Sequence, residues 1–191
     1  MMKIVLASAS PRRRELMEML GIQDLEIIPA HGEEHVNQDQ PPHEIVRQLA
    51  MNKAIEVSLR CEGQPIIVAA DTIVWHNNEV YGKPENEEHA FQMLKSLSGK
   101  THSVFTGIAV LHGEDLDLQS EESKVTFRPM SDEEIRRYIA TGEPMDKAGA
   151  YGAQGKGAIF VEHLDGDFFN VMGLPLCPLA QMLKKQGVEL L

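Results

Sequence analysis

The stretch LASASPRRRE at residues 6–15 places two serines directly before three consecutive arginines. Serine hydroxyls and guanidinium groups both donate hydrogen bonds to phosphate oxygens. Pro11 suits the first turn of a helix that Ser10 is predicted to cap, and the N-terminus of a helix attracts anions. Cations at this end of a helix oppose its dipole unless an anion lies between them. The stretch therefore indicates a phosphate site more than a solvated basic turn, although it is not a P-loop.

A lysine, Lys53, interrupts the apolar stripe of a helix that the periodicity predicts over residues 42–60. Its side chain has two alternatives. It can extend outward so that its charge reaches solvent, or it can point into a cleft and meet a negatively charged ligand.

A carboxylate, Asp71, follows the apolar run Ile66 to Ala70, which we predict to be a strand that ends there. Ligands of α/β proteins gather beyond the carboxyl ends of strands. An aspartate at such a point can bind a metal or take a proton from water. The alternative is a structural aspartate that forms an Asx-turn.

The segment PMDKAGAYGAQGKG at residues 144–157 contains four glycines among polar side chains that include Gln154. We predict an irregular loop whose glycines let the backbone approach a ligand closely. A flexible surface loop explains the glycines but not the mixture of one amide, one acid and two lysines.

The remaining pattern predicts a mixed α/β protein, in which some neighbouring strands are antiparallel. Strands are expected over residues 104–111 and 124–127, joined by an acidic connection at a solvated edge. Ser131 and Glu134 have the spacing of a helix capping box.

The composition limits the partners and the compartment. The 191 residues carry a formal net charge of -11, so we expect no binding to nucleic acid or to an anionic membrane surface. The two cysteines, Cys61 and Cys177, lie far apart, which favours free thiols in a reducing compartment. No segment reaches the roughly 18 apolar residues of a membrane span. We expect a soluble cytoplasmic protein, with a homodimer among its assemblies.

These motifs, in their order along the chain, resemble the Maf family of nucleoside triphosphate pyrophosphatases. The resemblance rests on LASASPRRRE, the Glu33–Glu34 loop, Lys53 with Ala54, AADTIV at 69–74, GKP at 82–84, LSGKTHSV at 97–104, EPMDKAGAYGAQG at 143–155 and GDFFNVMGLP at 166–175. It implies one domain over residues 1–191. The implied fold is elongated, with a curved mixed β-sheet flanked by helices and a cleft between two lobes, related to the inosine triphosphate pyrophosphatases. The implied reaction is hydrolysis of a nucleoside triphosphate to the monophosphate and pyrophosphate, in a housecleaning role.

The resemblance also implies the roles of individual residues. Asp71 would be the catalytic base. The ligands of the triphosphate would be Ser8, Arg13, Lys53 and Lys83. Glu33 and Asp71 would hold a divalent metal cation, Mg²⁺ or Mn²⁺.

The family divides according to the substrate base, and this chain resembles the branch that acts on dTTP and UTP. That likeness lies at Arg12, Thr72 and Gln154. A primary amide such as that of Gln154 can accept from N3–H of uracil or thymine and donate to O4, whereas it would have to flip for cytosine. Alternatively, Gln154 caps a turn. Two other functions stay open at this point, a pyrophosphatase for 7-methyl-GTP or another modified nucleotide, and a non-catalytic nucleotide-binding regulator of cell division.

Overall fold

The computed structural model describes residues 2–22, 24–32 and 39–191. Its strands are β1 (Ile4–Leu6), β2 (Leu25–Ile27), β3 (Ile66–His76), β4 (Glu79–Tyr81), β5 (Thr101–His112), β6 (Asp115–Phe127) and β7 (Val161–Asp165). Its α-helices are α1 (Pro11–Met19), α2 (Pro42–Ser58), α3 (Glu87–Leu97), α4 (Asp132–Ile139), α5 (Phe168–Met172) and α6 (Leu176–Lys185). Short 3-10 turns occupy Glu143–Asp146, Ala148–Ala150 and Lys156–Phe160.

The strands form a mixed sheet in the order β2-β1-β3-β5-β6-β7, with β4 paired to β3. β1 runs parallel to β2 and β3, whereas the other pairs are antiparallel. Helix α2 packs on one face of the sheet, and α1, α5 and α6 pack on the opposite face. Helices α3 and α4 cover a further buried cluster with β5 and β6. This arrangement confirms the predicted mixed α/β sheet flanked by helices.

β1 is much shorter than its neighbour β3, and this difference opens one side of β3. β1 pairs with β3 only from Ile66 to Val68, and β4 joins at Val74. Between these pairings, the part of the chain that the structure describes places no strand on that side of β3. Asp71 and Thr72 lie in this interval. They are therefore just beyond the carboxyl end of β1, where ligands gather in open α/β sheets.

The prediction that β3 ends at Ala70 is wrong, because the strand continues to His76. β5 pairs with it along Ile67–Trp75 and holds Asp71 opposite Gly107. This ladder of backbone hydrogen bonds keeps the chain extended where polar residues interrupt the apolar run. Asp71 is thus a mid-strand residue next to the end of a different strand.

The predicted bounds of the strands over residues 104–111 and 124–127 are also wrong. β5 and β6 pair along almost their full length, and the turn between them contains only Gly113 and Glu114. Apart from Glu114 in the turn, the acidic residues of the expected connection therefore belong to β6. β7 pairs with β6 only near its end, from Lys124 to Phe127. Most of β6 is an edge, where charged side chains oppose association with another sheet.

Gly107 lets helix α2 lie directly on the sheet. A Cβ atom at this position would be 2.2 Å from the backbone oxygen of Val46 in α2. The close approach brings the middle of α2, including Lys53, over the open part of β3. Of the helices in the described residues, none is both long and apolar enough to cross a membrane.

Candidate functional site

The turn between β1 and α1 is built as the sequence predicts. Ser10 is the N-cap of α1, and its hydroxyl accepts from the backbone N–H of Arg13 at 3.5 Å. The buried Ser8 hydroxyl accepts from the backbone N–H of Ser10 at 3.2 Å. These bonds fix the turn at the carboxyl end of β1, with the positive end of the α1 dipole next to the open part of β3.

Arg13 is the residue that joins this turn to two distant segments. Its Nε donates to the carbonyl of Gly173 at 2.7 Å, and its Nη2 donates to the hydroxyl of Thr72 at 3.1 Å. Its Nη1 donates to Ser8 at 3.3 Å. The half-buried guanidinium is therefore held in one orientation at the site. A fixed guanidinium is well suited to bind a phosphate group.

Lys53 and Asp71 form an ion pair on the opposite face of β3. The ammonium of Lys53 donates to Oδ1 of Asp71. Asp71 is only 7% exposed, and the opposite charge offsets the cost of burying its carboxylate. Of the two alternatives for Lys53, the structure supports the one that points inward. A shielded carboxylate beside a cation can act as a base toward a water molecule near an anionic substrate.

The Lys53–Asp71 ion pair and the Arg13–Thr72 hydrogen bond lie close together because Asp71 and Thr72 are neighbours in β3. Successive side chains of a strand point to opposite faces. Asp71 therefore faces α2 and Lys53, while Thr72 faces α1 and Arg13. The two groups lie on either side of the strand, beyond the end of β1.

Arg12 and Gln154 lie on another side of α1. The amide nitrogen of Gln154 donates to Oε2 of Glu15 at 3.3 Å. Nε of Arg12 is buried, and among the described residues it has no hydrogen-bond partner. Lys147, which donates to Asp146 at 2.7 Å, is the main cause of the lowered pKa of Asp146, and the charge of Arg12 adds to it. Arg12 thus faces the glycine-rich segment that carries Gln154.

One further predicted ligand, Lys83, is not bonded to this cluster within the described residues. Lys83 is exposed in the break after β4, and within the described ranges it makes no hydrogen bond to Ser8 or Arg13. The carbonyl of its neighbour Gly82 accepts from the backbone N–H of Gly149 at 3.1 Å, which ties this break to the glycine-rich segment. Glu33, with Glu34, lies outside the described residues.

Glu143 organises the glycine-rich segment, a role that the sequence analysis missed. Its carboxylate accepts from the hydroxyl of Tyr138 at 2.8 Å and from the backbone N–H groups of Lys156 and Gly157 at 2.9 and 3.0 Å. Burial opposes ionisation of Glu143, but these hydrogen bonds outweigh it and lower its pKa. Burial also raises the pKa of Tyr138, so its hydroxyl stays a donor.

The glycines of this segment make room for the chain's own side chains. A Cβ atom at Gly155 would lie 2.5 Å from Oε2 of Glu143, and one at Gly157 would lie 2.6 Å from the Tyr138 hydroxyl. At these two positions, contacts inside the chain require a glycine, and a close approach of the backbone to a ligand stays a prediction. The only sequence signal was the spacing of the glycines after Glu143.

The described residues do not form a complete metal site by themselves. Residues 2–22, 24–32 and 39–191 contain no group of three or more His, Cys, Asp or Glu side chains that could hold a metal ion. Mg²⁺ is commonly bound by one or two carboxylates together with phosphate oxygens of the substrate. The Asp71 carboxylate, at the edge of the cationic cluster, has the chemistry for such a site.

A family model described as Maf-like protein matches residues 3–186. A protein of Caldicellulosiruptor bescii named dTTP/UTP pyrophosphatase is 48% identical over 196 residues, which cover 100% of this chain and 98% of that protein. A Bacillus cereus protein of the same name is 46% identical over 189 residues, with 99% and 98% covered.

Two solved structures share the fold. A HAM1 protein from Coxiella burnetii has a TM-score of 0.57 at 17% identity, covering 97% of this chain and 100% of that chain. The Staphylococcus aureus Ham1 protein has a TM-score of 0.54 at 11% identity, covering 96% and 99%. At these identities the likeness concerns the fold alone.

Proposed function

Because the chain belongs to the Maf-like protein family, we propose that it is a nucleoside triphosphate pyrophosphatase that hydrolyses dTTP and UTP to the monophosphate and pyrophosphate. The choice of substrate rests on the near full-length similarity, at 46–48% identity, to two proteins named for this activity. The assignment of a hydrolytic reaction rests on a buried carboxylate next to fixed cations at the end of β1.

The cationic cluster binds the triphosphate. A triphosphate carries about four negative charges, so an acidic chain needs local cations to hold it. Arg13 and Ser8 approach from the α1 side, and Lys53 approaches from the α2 side of β3. Lys83, which is exposed in the break after β4, would reach the triphosphate from outside this cluster. Charge that develops on the departing pyrophosphate is stabilised by these groups.

Asp71 accepts a proton of the attacking water. The water oxygen bonds to the α phosphorus while the bond from that phosphorus to the oxygen bridging the β phosphate breaks, and pyrophosphate leaves. General-base assistance typically contributes ~10²–10⁴-fold in rate. Asp71, together with Glu33, would hold Mg²⁺ or Mn²⁺, which supplies neutralisation of phosphate charge when bound. Lys53 holds the carboxylate of Asp71 in place on the α2 face of β3.

The base is recognised by Gln154, and the ring or the sugar is held by Arg12 and Thr72. The amide of Gln154 offers one acceptor and two donors to the edge of the base. Arg12 brings a positive charge close to the glycine-rich segment that carries Gln154. Glu143 positions this region, because its carboxylate holds the backbone on the C-terminal side of Gln154.

The experiment is a panel of canonical and modified nucleoside triphosphates, including 7-methyl-GTP, assayed for pyrophosphate with Mg²⁺ and with Mn²⁺. We expect dTTP and UTP to be the best substrates.

The Asp71→Asn variant should lose most turnover and still bind nucleotide, and wild-type hydrolysis by this variant would refute its role. For Gln154→Glu, we expect loss of dTTP and UTP hydrolysis while purine activity stays unchanged. An equal fall for every nucleotide would assign Gln154 to the phosphate site or the scaffold.

A further inference from the structure

A fully buried hydroxyl, that of Thr106, lies directly beneath Thr72. Thr106 is opposite Thr72 in the β3–β5 pairing and is 0% exposed. The two hydroxyl oxygens are 2.9 Å apart. The Thr106 oxygen is also 3.0 Å from the backbone carbonyl of Asn170. Thr72 itself is partly exposed at the open side of β3.

The partners of these hydroxyls fix the direction of the hydrogen bonds. A carbonyl can only accept, so the Thr106 hydrogen goes to Asn170. Thr106 must then accept from Thr72, and Thr72 accepts from Nη2 of Arg13 at 3.1 Å. The reverse direction would lose one buried hydrogen bond and would place two acceptor oxygens face to face at 3.0 Å.

This direction leaves Thr72 with nothing to donate. Its hydrogen is used by Thr106, and one of its lone pairs is used by Arg13. Toward a ligand, the Thr72 oxygen is therefore an acceptor only. Phosphate oxygens cannot donate to it, so the partner of Thr72 must be a substrate group that carries a hydrogen, such as a ring N–H.

We propose that Thr106 is a positioning residue that fixes Thr72 as an acceptor and thereby selects bases with an N3–H group. This proposal rests on the function proposed above. Uracil and thymine carry a hydrogen on N3, whereas N3 of cytosine is itself an acceptor and would meet the Thr72 oxygen with like polarity. The amide of Gln154 is exposed and held by one 3.3 Å bond, so by flipping it can suit either base. A hydroxyl whose direction is fixed discriminates between these two bases, whereas an amide that can flip does not.

The neighbouring contacts allow Thr106 to be changed without opening a gap in the fold. The Asn170 carbonyl also accepts from the backbone N–H of Gly173 at 2.9 Å, so it keeps a partner when the Thr106 hydroxyl is removed. Valine has the shape of threonine but can neither accept nor donate. In Thr106→Val, the Thr72 hydroxyl is released and can donate to N3 of cytosine.

The test compares kcat/KM for UTP and for CTP in the wild type, in Thr106→Val and in Thr106→Ser. Because one hydrogen bond is at stake, we expect the UTP/CTP ratio to fall about tenfold in Thr106→Val. Serine keeps the hydroxyl and should restore the wild-type ratio. An unchanged ratio in Thr106→Val would overturn the proposal. An equal fall for both nucleotides would overturn it too, because it would make Thr106 a purely structural residue.

A second variant covers the case in which Thr106→Val does not fold, as judged by its thermal unfolding. Thr72→Val removes the acceptor itself, and its UTP/CTP ratio should also fall about tenfold. A wild-type ratio in Thr72→Val would overturn the proposal. Failure of the proposed function is seen separately, because the wild type would then not release pyrophosphate from UTP.

Discussion

Replacement of Glu143 by glutamine should destabilise the protein through the glycine-rich segment. The carboxylate accepts three hydrogen bonds, two at Oε1 and one at Oε2. Glutamine can keep the two at its oxygen, but its amide nitrogen then faces the N–H of Lys156, donor against donor. One charge-assisted bond is lost and two are weakened, which costs about 2–3 kcal/mol. For a chain of this size, the unfolding temperature should fall by roughly 5–10 °C.

The pH dependence identifies the cause of this loss. The folded-state pKa of Glu143 is lowered, so its stabilisation is present above the unfolded value of 4.5 and is lost as the pH falls through the folded value. The difference between wild type and Glu143→Gln should therefore be large at neutral pH and shrink below 4.5. Urea unfolding at several pH values measures it.

A matched control is Glu133→Gln on helix α4. It makes the same change of charge at a side chain that is 73% exposed and that, among the described residues, pairs with Arg137 alone. Such a surface pair is worth about 0.3–0.5 kcal/mol, so the control should stay close to wild type. If Glu143→Gln were as stable as this control at neutral pH, the carboxylate would not organise the segment.

Three further predictions concern other parts of the molecule. Arg13→Ala should weaken binding of a non-hydrolysable UTP analogue by about tenfold or more, and more than binding of UMP, whereas Arg14→Ala should not; calorimetry that gave equal losses for both ligands would contradict a phosphate role. Burial lowers the pKa of His102 to about 3, so stability should fall as the pH drops below 6.5, by about 2 kcal/mol at pH 5, and His102→Phe should show a smaller fall in urea unfolding. Gly107→Ala should fail to fold or unfold at a much lower temperature, because its methyl group meets a carbonyl of α2 at 2.2 Å, whereas Gly82→Ala has no atom within 4 Å and should fold normally.

Local signals in the sequence predicted the local parts of the site. The Ser10 cap and the capping box of Ser131 and Glu134 are confirmed, because each depends on residues within one turn of a helix. Lys53 was singled out as a charge in an apolar stripe, but only the packing of α2 on the sheet shows that it meets Asp71.

Contacts between distant segments could not be predicted from the sequence. Arg13 and Gly173 are 160 positions apart, and Thr72 and Thr106 are 34 apart. Their pairing depends on the order and register of the strands, which hydrophobic patterns do not determine. The cytoplasmic location, the homodimer and the absence of nucleic-acid binding remain predictions.

The most direct test of the account is to identify the products that the wild-type protein forms from UTP. Cleavage between the α and β phosphates yields UMP and pyrophosphate in equal amounts, and phosphorus NMR with separation of the nucleotides distinguishes them from UDP and phosphate. We predict UMP and pyrophosphate from the wild type, with most of this activity lost in Asp71→Asn. Formation of UDP and phosphate, or no hydrolysis of UTP and dTTP with either metal, would contradict the account.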